Sequence, residues 1–251
     1  MLVIREAQIG VLRQAALAAI EHRLVEHFLR SYPRECRLAG GRPAVVTLVR
    51  AGMAAAEGHG LASEQQAARY IGLMIMLGSA FDQDPQLPWA AALLGDTGFA
   101  PAARIATVYD RALEYLGEIA GEDGELIVRA MLRIRGFDLA GVPRAPADQE
   151  GELCALLGGL YPQKLAAQGE RPTRALIRQA VARAAEHRLV GDAGIAVFVT
   201  LAFMLGSGFD QDPLYPWAAR ALADTTVTDE PARVALLHRE AMAYLNDSLS
   251  R

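Results

Sequence analysis

Apolar residues recur at spacings of three and four along most of this chain, the period that gathers side chains on one face of an α-helix. Residues 5–30 carry Ile9, Leu12, Ala16, Ala19, Ile20, Leu24 and Phe28 in that register and predict a long amphipathic helix, stopped by Tyr32-Pro33. A basic, glycine-containing connector (34–42) leads to a second helix over 43–57, with Pro43 suited to a first helical position and Gly58 and Gly60 to its end. Ser63 followed by Gln66 fits a capping box opening a third helix. The run Tyr70-Ile-Gly-Leu-Met-Ile-Met-Leu77 is apolar around most of that helix, which places it in the middle of a bundle. A short helix over 88–94, a longer one over 101–116 and another over 122–135 follow. Gly136 to Asp148, rich in glycine and proline and without period, predicts a linker.

Beyond the linker the pattern returns. Gly78-Ser-Ala-Phe-Asp-Gln-Asp-Pro-Gln-Leu-Pro-Trp-Ala90 reappears as Gly206-Ser-Gly-Phe-Asp-Gln-Asp-Pro-Leu-Tyr-Pro-Trp-Ala218. Tyr32-Pro33 matches Tyr161-Pro162, His59-x-Leu61 matches His187-x-Leu189, and Tyr115-Leu116 matches Tyr244-Leu245. A period this long and repeated only twice does not predict a solenoid. The expectation is an all-α protein of two homologous helical bundles from a tandem duplication: residues 1–121, a helical segment and linker over 122–146, and residues 147–251.

Composition narrows the function classes. Of 251 residues, 52% are hydrophobic and only 6% aromatic, as in closely packed helices. A net charge of -4 disfavours a sequence-independent nucleic-acid binder. No stretch is long and apolar enough to predict a membrane span, and the N-terminus lacks a secretory signal pattern, so a cytoplasmic location is expected. Cys36 and Cys154 are expected to be reduced, with Cys154 a small core residue.

The repeated phrase offers two aspartates per copy, Asp82 with Asp84 and Asp210 with Asp212. As metal ligands they lack the further oxygens, glycine and glutamate of a calcium loop. A structural role accounts for more of the phrase: Gly78 ends the central helix, Asp84 caps a turn opening with Pro85, and Trp89 enters the next helix. The structural motif is thus Phe81, Asp82, Asp84, Pro85 and Trp89, with Phe209, Asp210, Asp212, Pro213 and Trp217. The two tryptophans are expected to dominate its energetics, and Asp84→Asn to be tolerated far better than Trp89→Ala. His59 and His187 fall at helix ends, where an imidazole can meet the C-terminal dipole. Asp192, standing where the first copy has Ser63, is expected to cap. His22 and His27 are five apart and do not share a helical face as zinc ligands would. No nucleophile elbow or phosphate-cradling loop is present. Neither catalytic residues nor a cofactor or metal site is expected.

The order Tyr32-Pro33, then Glu64-x5-Tyr70-Ile-x-Leu-Met-x3-Gly78, then Phe81-Asp-x-Asp-Pro-x-Leu-Pro-Trp-Ala90 resembles a family of small helical bacterial proteins encoded beside spike proteins and effector adaptors of type VI secretion systems. The likeness covers residues 1–118, and the second half shares the Phe209 to Ala218 core. Family members usually carry one copy, so a partner-binding surface can belong to one half only. The resemblance implies a non-enzymatic co-chaperone or adaptor whose partner is a secreted effector, its adaptor or a spike protein. The alternative is an immunity protein that neutralises a cognate toxin, its acidic surface meeting a basic toxin face.

Overall fold

A computed structural model describes residues 6–136 and 148–250, and every regular element among them is a helix. The first part of the chain supplies α1 (Glu6–Ser31), α2 (Pro33–Leu38), α3 (Arg42–Gly58), α4 (Glu64–Leu77), α5 (Pro88–Gly95), α6 (Pro101–Ala120) and α7 (Glu125–Arg135). The second supplies α8 (Gln149–Leu160), α9 (Pro162–Gln168), α10 (Glu170–Glu186), α11 (Asp192–Leu205), α12 (Pro216–Ala223) and α13 (Glu230–Leu249). Residues 137–147 of the expected linker lie outside the described residues.

The helices begin and end where local chemistry dictates. Proline occupies the first turn of α2, α3, α5, α6, α9, α12 and α13, where its missing N–H costs nothing. Ser63 and Gln66 form the reciprocal capping box at the start of α4, with Gln66 N–H to Ser63 Oγ at 3.2 Å and Ser63 N–H to Gln66 Oε1 at 3.0 Å. Asp192 does not cap α11. It is the first helical residue, and the carboxylate of Glu230 accepts instead from the N–H groups of Val190 and Gly191, at 2.8 and 2.6 Å. A carboxylate from α13 can do this because Gly191 has no side chain of its own to offer.

The α1 stripe is only partly used. Leu24 and Phe28 are buried, but Ala16 and Ala19 are exposed, so this helix enters the core through its C-terminal half. Ion pairs Arg42–Glu26 and Arg50–Glu21 lay α3 antiparallel to that half.

The second run of helices repeats the first in order, and four helix pairs match in length. Helices α3 and α10 have 17 residues each, α4 and α11 have 14, α5 and α12 have 8, and α6 and α13 have 20. Helix α8 stands in for the C-terminal half of α1. Helix α7 lies between the two sets of matched helices. Within each run the 14-residue helix is the most enclosed, and α11 buries every residue from Gly194 to Phe203. The runs also touch reciprocally: α6 packs on α9 and α13 packs on α2. Most of their buried apolar residues join in one cluster that includes Tyr70, Phe81, Phe198 and Phe209, while Ile134, Leu160 and Leu245 form a small second one.

Candidate functional site

Each repeated phrase forms the same corner. Helix α4 ends at Gly78 and α11 at Gly206, with φ, ψ of 99°, 150° and 103°, 152°, a conformation open to glycine alone. Successive turns follow, with Phe81 N–H to Gly78 O and Leu87 N–H to Asp84 O in one copy, and Phe209 N–H to Gly206 O and Tyr215 N–H to Asp212 O in the other. Phe81 and Phe209 are fully buried, against Tyr70 at 5.0 Å and Phe198 at 4.9 Å.

The second aspartate of each phrase fastens one run to the other. Oδ1 of Asp84 accepts from Gln86 N–H at 2.8 Å, closing its own turn, while Oδ2 accepts from the N–H of Ser207 in the opposite run at 2.7 Å. Asp212 does the reciprocal: Oδ1 takes Leu214 N–H at 2.8 Å and Oδ2 takes Ser79 N–H at 2.7 Å. Neither caps the following helix, whose N-cap residues Leu87 and Tyr215 make no side-chain cap bond. Gly78 and Gly206 lie back to back between these bonds; a Cβ on Gly78 would stand 2.9 Å from Leu205 O, and one on Gly206 3.2 Å from Leu77 O. The arrangement is that of an isologous two-fold interface inside one chain, residue i meeting j while j meets i. Burial raises the pKa of both carboxyls, against the pull of the N–H groups they accept from.

The first aspartate of each phrase turns the other way. Asp82 Oδ2 lies 2.9 Å from His59 Nε2, and Asp210 Oδ2 lies 2.9 Å from His187 Nε2. These histidines do end α3 and α10, but their rings pair with carboxylates rather than with the helix terminus alone. Both pairs are separated by 23 residues, a recurrence visible in the sequence. The second copy adds Arg183, whose guanidinium donates to Asp210 Oδ2 at 2.6 Å, where the first has Ala55. Burial raises the Asp210 pKa, but His187 and Arg183 outweigh it and hold the carboxyl below its usual range. Asp82 and Asp84 thus face different partners, and among the described residues no three His, Cys, Asp or Glu side chains gather as metal ligands.

The tryptophans are not equivalent. Trp217 is buried and stacks on Tyr244 at 5.7 Å, whereas Trp89 is only partly buried, with Tyr115 at 6.3 Å and the Arg111 guanidinium over its ring. Pro85 and Pro213 are half-buried within the corners.

Beside the junction lies a cavity of about 170 Å³, walled by residues of both runs and of α7. It contains a charged group that sequence reasoning overlooked. Lys164, on α9, is the only lysine in the chain and is buried, its Nζ donating to Phe203 O. Burial pushes its pKa down to about 8, opposed by the charge of Asp84. Gln86 adjoins it, with Nε2 donating to Ala202 O at 3.2 Å and to Asp84 Oδ2 at 3.3 Å. The signal available was the rarity of lysine beside 24 arginines.

Among the described residues no helix is long and apolar enough to cross a membrane. The chain matches no protein-family model, no curated protein and no solved structure.

Proposed function

We propose that this chain is a non-enzymatic interaction protein, a cytoplasmic co-chaperone or adaptor that holds a secreted effector, or that effector's loading adaptor, before delivery. We further infer that its two runs arose by tandem duplication of one helical unit; the equal helix lengths and reciprocal aspartate bonds support this. The observation that carries the functional reading is where the polar residues of the repeated phrase are spent. Asp82, Asp84, Asp210 and Asp212 are all engaged within the protein, on histidines, arginine and backbone N–H groups, so the phrase serves the scaffold.

Outside that scaffold a few large apolar residues stand exposed. Helices α6 and α7 pack together and leave Leu113, Val128 and Leu132 exposed. An exposed apolar strip of this kind suits a protein partner, as an adaptor requires.

Affinity purification with the products of neighbouring genes tests this reading. The expected result is recovery of an effector, adaptor or spike protein, lost in a Val128→Asp, Leu132→Asp variant that keeps its helicity. Recovery of none counts against the proposal. The net charge of -4 favours an immunity role as the second reading. Rescue of cells expressing a cognate toxin, without a secretion system, would identify that role.

A further inference from the structure

The cavity is where the near-symmetry of the two runs breaks. Gln86 has Leu214 at the matching place in the second corner, and Lys164 has Glu35 at the matching place in α2, exposed on the surface. The fold therefore closes one side of its junction with an apolar residue. On the other it buries a glutamine and the chain's only lysine, which a scaffold alone does not require.

Both groups retain unused valence. The Gln86 amide is oriented by its neighbours: Nε2 faces two acceptors, Ala202 O and Asp84 Oδ2, so the oxygen is the remaining atom. That Oε1 is buried with no donor among the described residues. Lys164 has three donors and one protein acceptor, Phe203 O. Ala202 and Phe203 are consecutive residues of α11, so amide and amine sit side by side at the cavity wall. Tyr115, Tyr161, Tyr215 and Tyr244, with Met131 and Met204, supply aromatic and thioether surface around them. The carboxylate of Asp84 faces the same ammonium and disfavours a ligand anion there.

We propose that this cavity is a binding site for a small aldehyde or ketone, of about the bulk of a single aromatic ring, captured reversibly as an imine on Nζ of Lys164. The bulk follows from the volume: 170 Å³ is slightly more than the roughly 150 Å³ of an apolar cavity that takes up benzene. The ammonium first loses a proton to solvent. The free amine then adds to the carbonyl carbon, a proton passes from nitrogen to oxygen, and the resulting carbinolamine places an O–H where Gln86 Oε1 lacks a donor. Loss of water leaves the C=N bond; amine and carbonyl give imine and water, with no oxidant or reductant. An amine kept partly neutral by burial suits this addition. The inference stands apart from the adaptor reading, and its test does not depend on a protein partner.

The test is reductive trapping of the full chain with benzaldehyde and cyanoborohydride, followed by peptide mapping, with the N-terminal amine as internal reference. Benzylation of Lys164 is expected, whereas pyrenecarboxaldehyde, too large for the cavity, labels the N-terminal amine alone. Lys164→Arg loses the internal adduct and keeps the reference. Gln86→Leu, which copies the opposite corner, slows Lys164 labelling about tenfold, the worth of one buried hydrogen bond, at unchanged helicity. Benzaldehyde adducts confined to the N-terminal amine would overturn the proposal. So would equal labelling of Lys164 by both aldehydes, or unaltered labelling in Gln86→Leu.

Discussion

Replacing Asp84 by asparagine tests whether the second aspartate of the phrase clamps the two runs together. Its carboxylate accepts three N–H groups: Gln86 N–H on Oδ1, and Ser207 N–H and Gln86 Nε2 on Oδ2. Asparagine offers one oxygen where aspartate offers two. In either amide orientation an NH2 group faces a buried N–H, and both are left without an acceptor. Each orphaned group costs about 1–3 kcal/mol, and relief from burying a carboxylate offsets part of this, leaving a net loss of about 2–4 kcal/mol. Asp82→Asn is the control. Asp82 uses a single oxygen, towards a histidine that can donate equally well to an amide oxygen, so its loss is below about 1 kcal/mol.

Urea denaturation followed by helical circular dichroism reads the difference. With a slope of about 2–3 kcal/mol per M for a chain of this size, Asp84→Asn lowers the midpoint by about 1 M and Asp82→Asn by a third of that or less. An unchanged midpoint for Asp84→Asn, or equal shifts in the two variants, would refute the clamp. The bonds of Asp84 argue against the expectation that Asp84→Asn is tolerated far better than Trp89→Ala. That expectation treated the residue as a cap serving one N–H.

Gly78→Ala introduces a methyl 2.9 Å from Leu205 O at φ of 99°, and is expected to cost about 2 kcal/mol or more; a midpoint within error of wild type would show that the junction yields freely. Trp217→Ala is expected to cost about 3–5 kcal/mol and Trp89→Ala roughly half, since only Trp217 is fully enclosed; equal midpoint shifts would contradict the difference in burial. The lowered Asp210 carboxyl stabilises the fold above the unfolded value of about 4, and that contribution is lost as pH falls through the folded value. Asp210→Asn should therefore be less stable than wild type at pH 7 and converge with it in acid, and a gap independent of pH would exclude the ion pair as its cause.

Helix boundaries were legible because they are local. Pro43, Ser63 with Gln66, Gly78 and Pro88 each act within one turn of the chain, and the helices begin and end at or next to them. The bonds that join the runs were not legible in the same way. Asp84 and Ser207 are 123 residues apart, and nothing in the phrase Asp-Gln-Asp-Pro tells an oxygen used on its own turn from one used across a junction. The tryptophans illustrate the same limit. Two copies of Pro-Trp-Ala differ in burial because Tyr215 stands beside Trp217 where Leu87 precedes Trp89, a difference outside the shared residues. Lys164 escaped notice for a general reason: lysine in a short amphipathic helix is ordinarily a solvated residue, and only its packing beneath α11 shows otherwise.

These failures point in one direction. A junction built from equivalent residues on both sides satisfies itself: each aspartate is answered by the other run's serine N–H, and each glycine by the other run's backbone. Such a set is spent chiefly on holding the two runs together. Groups open to a ligand are to be sought where the two runs differ, because there a residue is not tied into the reciprocal set. Two such places stand out: Gln86 against Leu214 and Lys164 against Glu35. Both belong to one region, and Ile127 and Met131 of α7 wall the same cavity that holds Gln86 and Lys164. A partner seated on the exposed side of α7 and a small ligand held beneath it would therefore compete for, or reinforce, the position of a single helix.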